Sequence, residues 1–179
     1  MEAMETILSR RSVRSYLPRP VPREAIRKLL EGAMSAPSAG NQQPWHFLVI
    51  DDRKILDAMP SVHPYSQMLR EAPLAILICG DLQLEKHKGF WVQDCSAAAQ
   101  NLLLAAHAQN LGAVWLGVYP REDRVSGFQK MFGLPRNLVP FCIVSIGYPA
   151  EKIPRAHRYN ASRVYHNEFA RGWEGDHSG

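Results

Sequence analysis

Two stretches of the chain carry an unbroken helical pattern. In the first, Ala25, Ile26, Leu29, Leu30, Ala33 and Met34 line one face, with Arg23, Glu24, Arg27, Lys28 and Glu31 opposite. This predicts an amphipathic helix whose first turn suits Pro22. The second spans residues 91–111, where Ala97, Ala98, Ala99, Leu102, Leu103, Leu104, Ala105, Ala106, Ala108 and Leu111 cover nearly the whole circumference. A helix apolar all round is buried on all sides, so it is expected at the centre of the domain or at a subunit interface, with Gly112 as its stop. Met4, Ile7 and Leu8 share a face of a short helix near the start, and residues 124–132 form a modest helix ended by Gly133 and Pro135.

Strands separate these helices. Residues 45–50, 72–79, 113–119 and 141–147 read as strands, the second and fourth so continuously apolar that both faces must be buried. Asp51 and Asp52 are placed to cap a short helix running to Met59, and residues 60–67 read as loop. Gly117 interrupts its strand pattern, which marks a bulge or a close approach by something else. Residues 82–90 show no clear pattern. The alternation predicts one domain over residues 1–174 and a disordered tail at 175–179.

Two irregular stretches carry the candidate chemistry. Arg10, Arg11, Ser12 and Arg14 fall where the first short helix gives way to extended chain. Such a cluster is either a phosphate clamp, since guanidinium forks match phosphate oxygens, or a solvated basic turn. Residues 36–44, APSAGNQQP, hold two prolines, a glycine and three amides. This is either a loop that lets a flat ligand approach its backbone or a plain connector.

Composition narrows the choices. The 179 residues are 46% hydrophobic and 21% charged, a globular balance, and the net charge of +4 gathers in residues 10–28 and 152–171. The two basic ends could meet at one anion. A nucleic-acid binder would show a longer basic stripe with exposed aromatics, so no nucleic acid is expected. Cys79, Cys95 and Cys142 are widely spaced with no CxxC pair, which disfavours a disulfide framework or structural zinc and fits a reducing compartment. No apolar run approaches the roughly 18 residues of a membrane span, and the first residues do not read as a signal peptide. A cytoplasmic protein with no membrane partner is expected. Dinucleotide and phosphate-loop fingerprints, zinc motifs and a nucleophile elbow are all absent from the sequence. If the chain is an enzyme, a cofactor supplies its reactivity.

The run RRSVR at residues 10–14, followed by APSAGNQQPWHF at 36–47, resembles the nitroreductase family of FMN-dependent oxidoreductases. The apolar strand after Ala72-Pro73, the helix through residues 93–111, GAVWLGVYP at 112–120 and Arg158 in the tail agree with it. The resemblance implies an α+β fold, a central, mostly antiparallel sheet flanked by helices, in an intertwined homodimer with two FMN sites shared between subunits. It implies that Arg10, Arg11, Ser12 and Arg158 form the phosphate and ribityl set. Arg14 would lie near N1 and O2 of the ring, and Pro37, Ser38 and Asn41 would reach the flavin from the partner. Gly117 and Val118 would face N5 and O4, with Gln67 on the pyrimidine edge. Trp45 would be core. The chain is short for the family, and residues 82–90 are too brief for a long lid helix.

The implied activity is hydride transfer from NADH or NADPH through flavin N5 to a nitroaromatic, quinone or similar small-molecule acceptor, with no catalytic side chain and no metal. Alternatives are a flavin-binding or delivery protein without turnover, and a dehalogenase-like or ring-modifying branch of the same fold.

Overall fold

The computed structural model describes residues 2–169 and 171–173; the tail expected to be disordered lies outside them. Five helices are α1 (Ala3–Ser9), α2 (Arg23–Met34), α3 (Arg53–Ala58), α4 (Trp91–Ala108) and α5 (Glu122–Phe132). Four strands are β1 (Trp45–Ile50), β2 (Leu74–Asp81), β3 (Gly112–Gly117) and β4 (Leu138–Gly147). They form one sheet in the order β1-β2-β4-β3, antiparallel at every step. The fold is α+β, as the resemblance implies.

Strand alternation builds a core on each face. Leu74, Ile76, Ile78, Val144 and Ile146 join Leu29 and Ala33 of α2 and the buried face of α4. Ala75, Leu77, Cys79, Ile143 and Leu116 point the other way, onto Leu56 of α3, Phe128 of α5 and the turns around Met59 and Leu69. Every residue of β2 is buried, as its unbroken apolar run demands. Cys79, Cys95 and Cys142 are free and buried, and burial pushes the Cys79 thiol up to about 12.

Two expectations need correction. β2 does not end before Gly80-Asp81 but runs through them. Gly80 pairs with Trp45 and Val139, and a Cβ there would sit 2.3 Å from the Trp91 ring, so this glycine is a seat for an indole. Gly112 is not the stop of α4; it opens β3, packed so tightly on Val13 that a Cβ would meet its side chain at 2.7 Å. The stop is Asn110, at φ 59°, with Leu111 N–H on the Ala106 carbonyl and Asn110 N–H on that of His107. That is the paired closure in which a left-handed residue satisfies the last carbonyls, with Asn in glycine's place. Helix α4 finds its cover largely within its own chain, and Leu103 is buried in the core against the sheet and α2. Apolarity around this helix therefore reflects a central position and does not by itself report a subunit interface.

Exposed apolar groups lie elsewhere. Met4, Ile7 and Leu8 on α1 are exposed, and so are Ile153, Tyr159, Tyr165, Phe169 and Trp173 along a tail that lies almost wholly in solvent.

Candidate functional site

The basic segment after α1 is held on both sides. Val13 N–H donates to the Ala113 carbonyl, so residues 12–13 run along the outer edge of β3 at its start. Tyr16 is buried and its hydroxyl bridges the Val13 carbonyl and Ser145 Oγ, each at 2.7 Å. Burial raises its pKa, so it stays a neutral donor. Leu17 N–H on the Tyr148 carbonyl and Ala150 N–H on that of Ser15 then lace the segment to the chain leaving β4.

Within this frame the arginines differ. Arg11 is spent on backbone carbonyls: Leu8 at 3.0 Å, Arg10, and Pro154 at 2.9 Å. It closes the C-terminus of α1 and ties the tail to it. Arg10 is half-buried, and its pKa is lowered by burial first, then by Arg158 and Arg11. The structure thus brings Arg10, Arg11 and Arg158, 148 positions apart at the extremes, into one electrostatic neighbourhood. Ser12 is half-buried beside them. Arg14 is exposed; its backbone N–H donates to Glu151 at 3.1 Å. Among the described residues, Arg10, Arg14 and Arg158 form no ion pair. His107 Nε2 meets Ser9 Oγ at 2.7 Å, and burial, then Arg10 and Arg11, lower its pKa. Ser9 Oγ donates to the Glu5 carbonyl at 2.6 Å, so the His107 proton points at the hydroxyl and the pair is no nucleophile with its base.

The other end of β3's edge holds Gly117. Ala113 turns its carbonyl outward to Val13, and Val118 N–H bonds inward to the Phe141 carbonyl. Ladder bonding alternates between successive residues, so the Gly117 N–H and carbonyl both point off the outer edge, about 13 Å along the strand from Ala113. The carbonyl receives Arg124 Nη1 at 2.8 Å and His63 Nε2 at 2.9 Å. Gln67 lies on the same loop as His63, exposed, with its amide on the Pro64 carbonyl and Arg70 on its oxygen.

The loop bearing Pro37, Ser38 and Asn41 is built around a buried carboxylate. Asp94 accepts from Ala39 N–H at 2.9 Å and from the Gln42 amide at 2.6 Å. The Gln42 oxygen takes the N–H groups of Lys86 and His87, and Ser38 Oγ takes that of Gln43. Gly40, Asn41 and Gln43 all have φ near +50°. A Cβ at Gly40 would strike the His87 ring at 2.3 Å. The loop is a fixed shape, with Pro37 and Asn41 on its exposed side.

One chain therefore unites Arg10, Ser12, Arg14 and Gly117 along the β3 edge and draws Arg158 to one end, with Gln67 in the loop that bears His63; Val118 is fully buried and its N–H is turned inward. The same chain does not bring Pro37, Ser38 and Asn41 to that edge. The loop leads into β1, the opposite edge of the sheet, three strand spacings or about 14 Å away. Asp94 and His107 also sit at opposite ends of α4, about 20 Å apart along its axis.

Sequence reasoning missed Asp94, Gln42, His63 and Arg124. Asp94 had a signal, as the carboxylate of an otherwise apolar helix. Gln42 was hidden among three amides, and His63 and Arg124 had none.

The donor set fits a phosphate with an attached flat ring. Among the described residues, Arg10 and Arg158 form no ion pair and repel one another at one end of the edge, and an outward-facing glycine with no atom within 4 Å of its Cβ position stands at the other.

Comparisons with known proteins show what the chain is similar to. The model of the Nitroreductase family matches residues 7–63 and 60–148. A Methanothermobacter thermautotrophicus protein provisionally named NADH dehydrogenase/NAD(P)H nitroreductase is 50% identical over 165 residues, covering 92% of this chain and 86% of its own. A crystal structure from Parabacteroides distasonis, of a protein given the same provisional name, superposes with TM-score 0.89 at 44% identity, covering 93% of this chain and 98% of that one. A provisionally named nitroreductase of Desulfovibrio desulfuricans, solved in complex with FMN, gives TM-score 0.82 at 32% identity, covering 94% and 98%.

Proposed function

The chain belongs to the nitroreductase family of FMN-dependent oxidoreductases, and from that premise we propose that it uses NADH or NADPH to reduce a nitroaromatic, quinone or similar small acceptor by ping-pong kinetics. The observation that carries the proposal is the outer edge of β3, with mutually repelling cations at one end and an open glycine at the other. When bound, FMN supplies hydride acceptance and donation at N5. Arg10, Arg158 and Ser12 hold the phosphate and ribityl end, and Arg14 supplies a fixed positive charge at the pyrimidine edge, with Gln67 nearby. No described side chain near Gly117 is placed as an acid or base: His63 is committed to a carbonyl, and burial, then Arg124, lower its pKa. Solvent is left to supply protons.

The working unit is a homodimer. The separation of the Pro37–Asn41 loop from the β3 edge supports this, since a second copy can bring its loop to the first copy's edge. The exposed apolar residues of α1 and the tail are the groups such a dimer would cover. The three free buried thiols support a reducing, cytoplasmic setting, and no helix among the described residues is long and apolar enough to cross a membrane.

The test is direct. Acid release and chromatography should yield FMN from the purified yellow protein. Anaerobic NADH or NADPH should bleach it, and a nitroaromatic or quinone should restore the colour. A protein that binds FMN but is bleached by neither nicotinamide is a flavin carrier instead.

A further inference from the structure

We infer that His63 and Arg124 are positioning residues for the flavin ring, acting through the Gly117 carbonyl that both of them hold. The inference rests on the reading that FMN lies along the β3 edge.

Gly117 has no internal reason to be glycine. Its φ is not in the left-handed range, and a Cβ there would meet nothing within 4 Å. It ends a strand at the sheet's edge, where a glycine backbone is freest. Two side chains nevertheless converge on its carbonyl. Arg124 reaches back from the first turn of α5, and His63 reaches up from a buried position in the loop after α3. Arg124 can only donate, and Nε2 must carry the imidazole proton to reach the carbonyl at 2.9 Å. Nδ1 is then a bare acceptor. His63 Nδ1 and Arg124 Nε are both buried with no hydrogen-bond partner in the described structure. Buried polar groups are normally satisfied, so the chain gives up two hydrogen bonds to bring these donors to one exposed carbonyl. Protonating His63 would add a buried donor beside a guanidinium 3.2 Å from Nε2, and burial followed by Arg124 accordingly lowers its pKa. Tyr65, itself exposed, stands edge-on to His63 and under Arg124.

The clamp fixes the backbone of a residue whose Cβ position is open to the outer edge, with no atom within 4 Å. Its beneficiary is whatever lies on the outer edge there. Because Gly117 is placed at the ring and not at the phosphate, the clamp should act on the isoalloxazine alone.

Riboflavin, which lacks the phosphate, separates the two ends. Arg124→Ala and His63→Phe should each weaken riboflavin and FMN in equal measure, Arg124→Ala by roughly tenfold for a lost charge-assisted bond, and shift the long-wavelength absorption band of the bound flavin. Arg124→Lys and His63→Gln keep a donor and should restore both readouts in part. Gly117→Ala should leave the melting temperature unchanged, because its Cβ has space, yet weaken both flavins. Wild-type riboflavin affinity and an unshifted band in folded Arg124→Ala would overturn the inference, as would a loss confined to FMN. A wild-type chain that takes up no flavin after reconstitution overturns the proposed function and this inference together. A wild-type chain that binds FMN beside variants that bind riboflavin unchanged overturns this inference alone.

Discussion

The two ends of α4 follow opposite electrostatic plans. At the first turn, Asp94 is buried with both oxygens occupied, and the Gln42 amide that serves it is itself satisfied on its other side. At the last turn, His107 and Ser9 face Arg10 and Arg11, with Arg158 drawn close and no carboxylate paired to Arg10. The first end is electrostatically finished and rigid, suited to being presented to something else. The second is a frustrated cluster whose repulsion an anion would relieve. A completed loop and an uncompleted receptor, held apart in one chain, become complementary once two copies meet.

The sharpest way to break this comparison is to mix defective subunits. Arg10→Ala spoils the receptor and Asn41→Trp spoils the presented loop, so each homodimer should bind FMN poorly. Refolded together, they should regain flavin, because each mixed dimer holds one site with both parts intact and one with neither. Fluorescence quenching of added FMN reads this out. No recovery on mixing would mean that loop and receptor serve one chain alone.

Asp94→Ala comes next, directed at the finished end. It strands the Ala39 N–H and the Gln42 amide in a buried place, at about 1–3 kcal/mol for each unsatisfied group. The urea midpoint should fall, and FMN binding with it. A variant as stable as the parent would show that the loop holds its shape without the carboxylate.

How far the sequence made these two ends legible differs for a physical reason. The helices and strands could be read because burial imposes periodicity; residues 45–50 match the structure residue for residue, and of the two carboxylates expected to cap α3, Asp52 does so. The candidate residues on the β3 edge were legible through the family resemblance, and the arginine cluster through composition alone. The knot around Asp94 was not: the lone carboxylate of α4 could be seen, but its partners Ala39 and Gln42 lie more than 50 positions away, and no local pattern joins them. The His63–Arg124 clamp joins residues 61 positions apart, and no local pattern records it. Gly112 misled because glycine after a helix usually closes it, whereas here Val13 requires the small residue and Asn110 performs the closure. Of the two places that the pattern of α4 allowed, the structure gives the centre of the domain, because α2 and the sheet supply its cover.

At the receptor end, Arg10→Ala should weaken FMN by about tenfold or more, the effect of one charge-assisted pair worth roughly 1.5–3 kcal/mol, and leave riboflavin untouched. Isothermal titration with both flavins checks it. Equal losses for both would place Arg10 at the ring.

Arg14→Ala should act on potential more than on affinity. Reduced FMN carries extra negative charge on its pyrimidine edge, and a fixed cation stabilises it more than the oxidised form. An interaction of about 1.5–3 kcal/mol specific to the charged state corresponds to roughly 30–65 mV for two electrons. Spectroelectrochemical titration should show the potential falling by that amount in the variant. An unchanged potential with FMN still bound would remove Arg14 from the ring.

The smallest effect concerns His107, whose sign should reverse when the receptor is filled. In the free protein its pKa lies below the usual value, through burial, then Arg10 and Arg11, with Glu5 opposing. The unfolded chain therefore takes up a proton near pH 6.5 that the folded chain resists. Stability is fully present above that pH and declines as pH falls toward the folded value. His63 shares the direction. A phosphate held by Arg10 and Arg158 brings negative charge into the same neighbourhood and should raise the His107 pKa, so that FMN binding takes up a proton. The measurement is the ratio of FMN affinities of wild type and His107→Asn at successive pH values. Titration of the flavin phosphate and of His63 is common to both proteins and cancels in that ratio. Between pH 7.5 and 5.5 it should move in favour of wild type by about two- to fivefold, as expected of a partly solvated charge pair. A ratio independent of pH would place His107 outside the field of the phosphate, and the cationic end of α4 would then owe its asymmetry to the arginines alone.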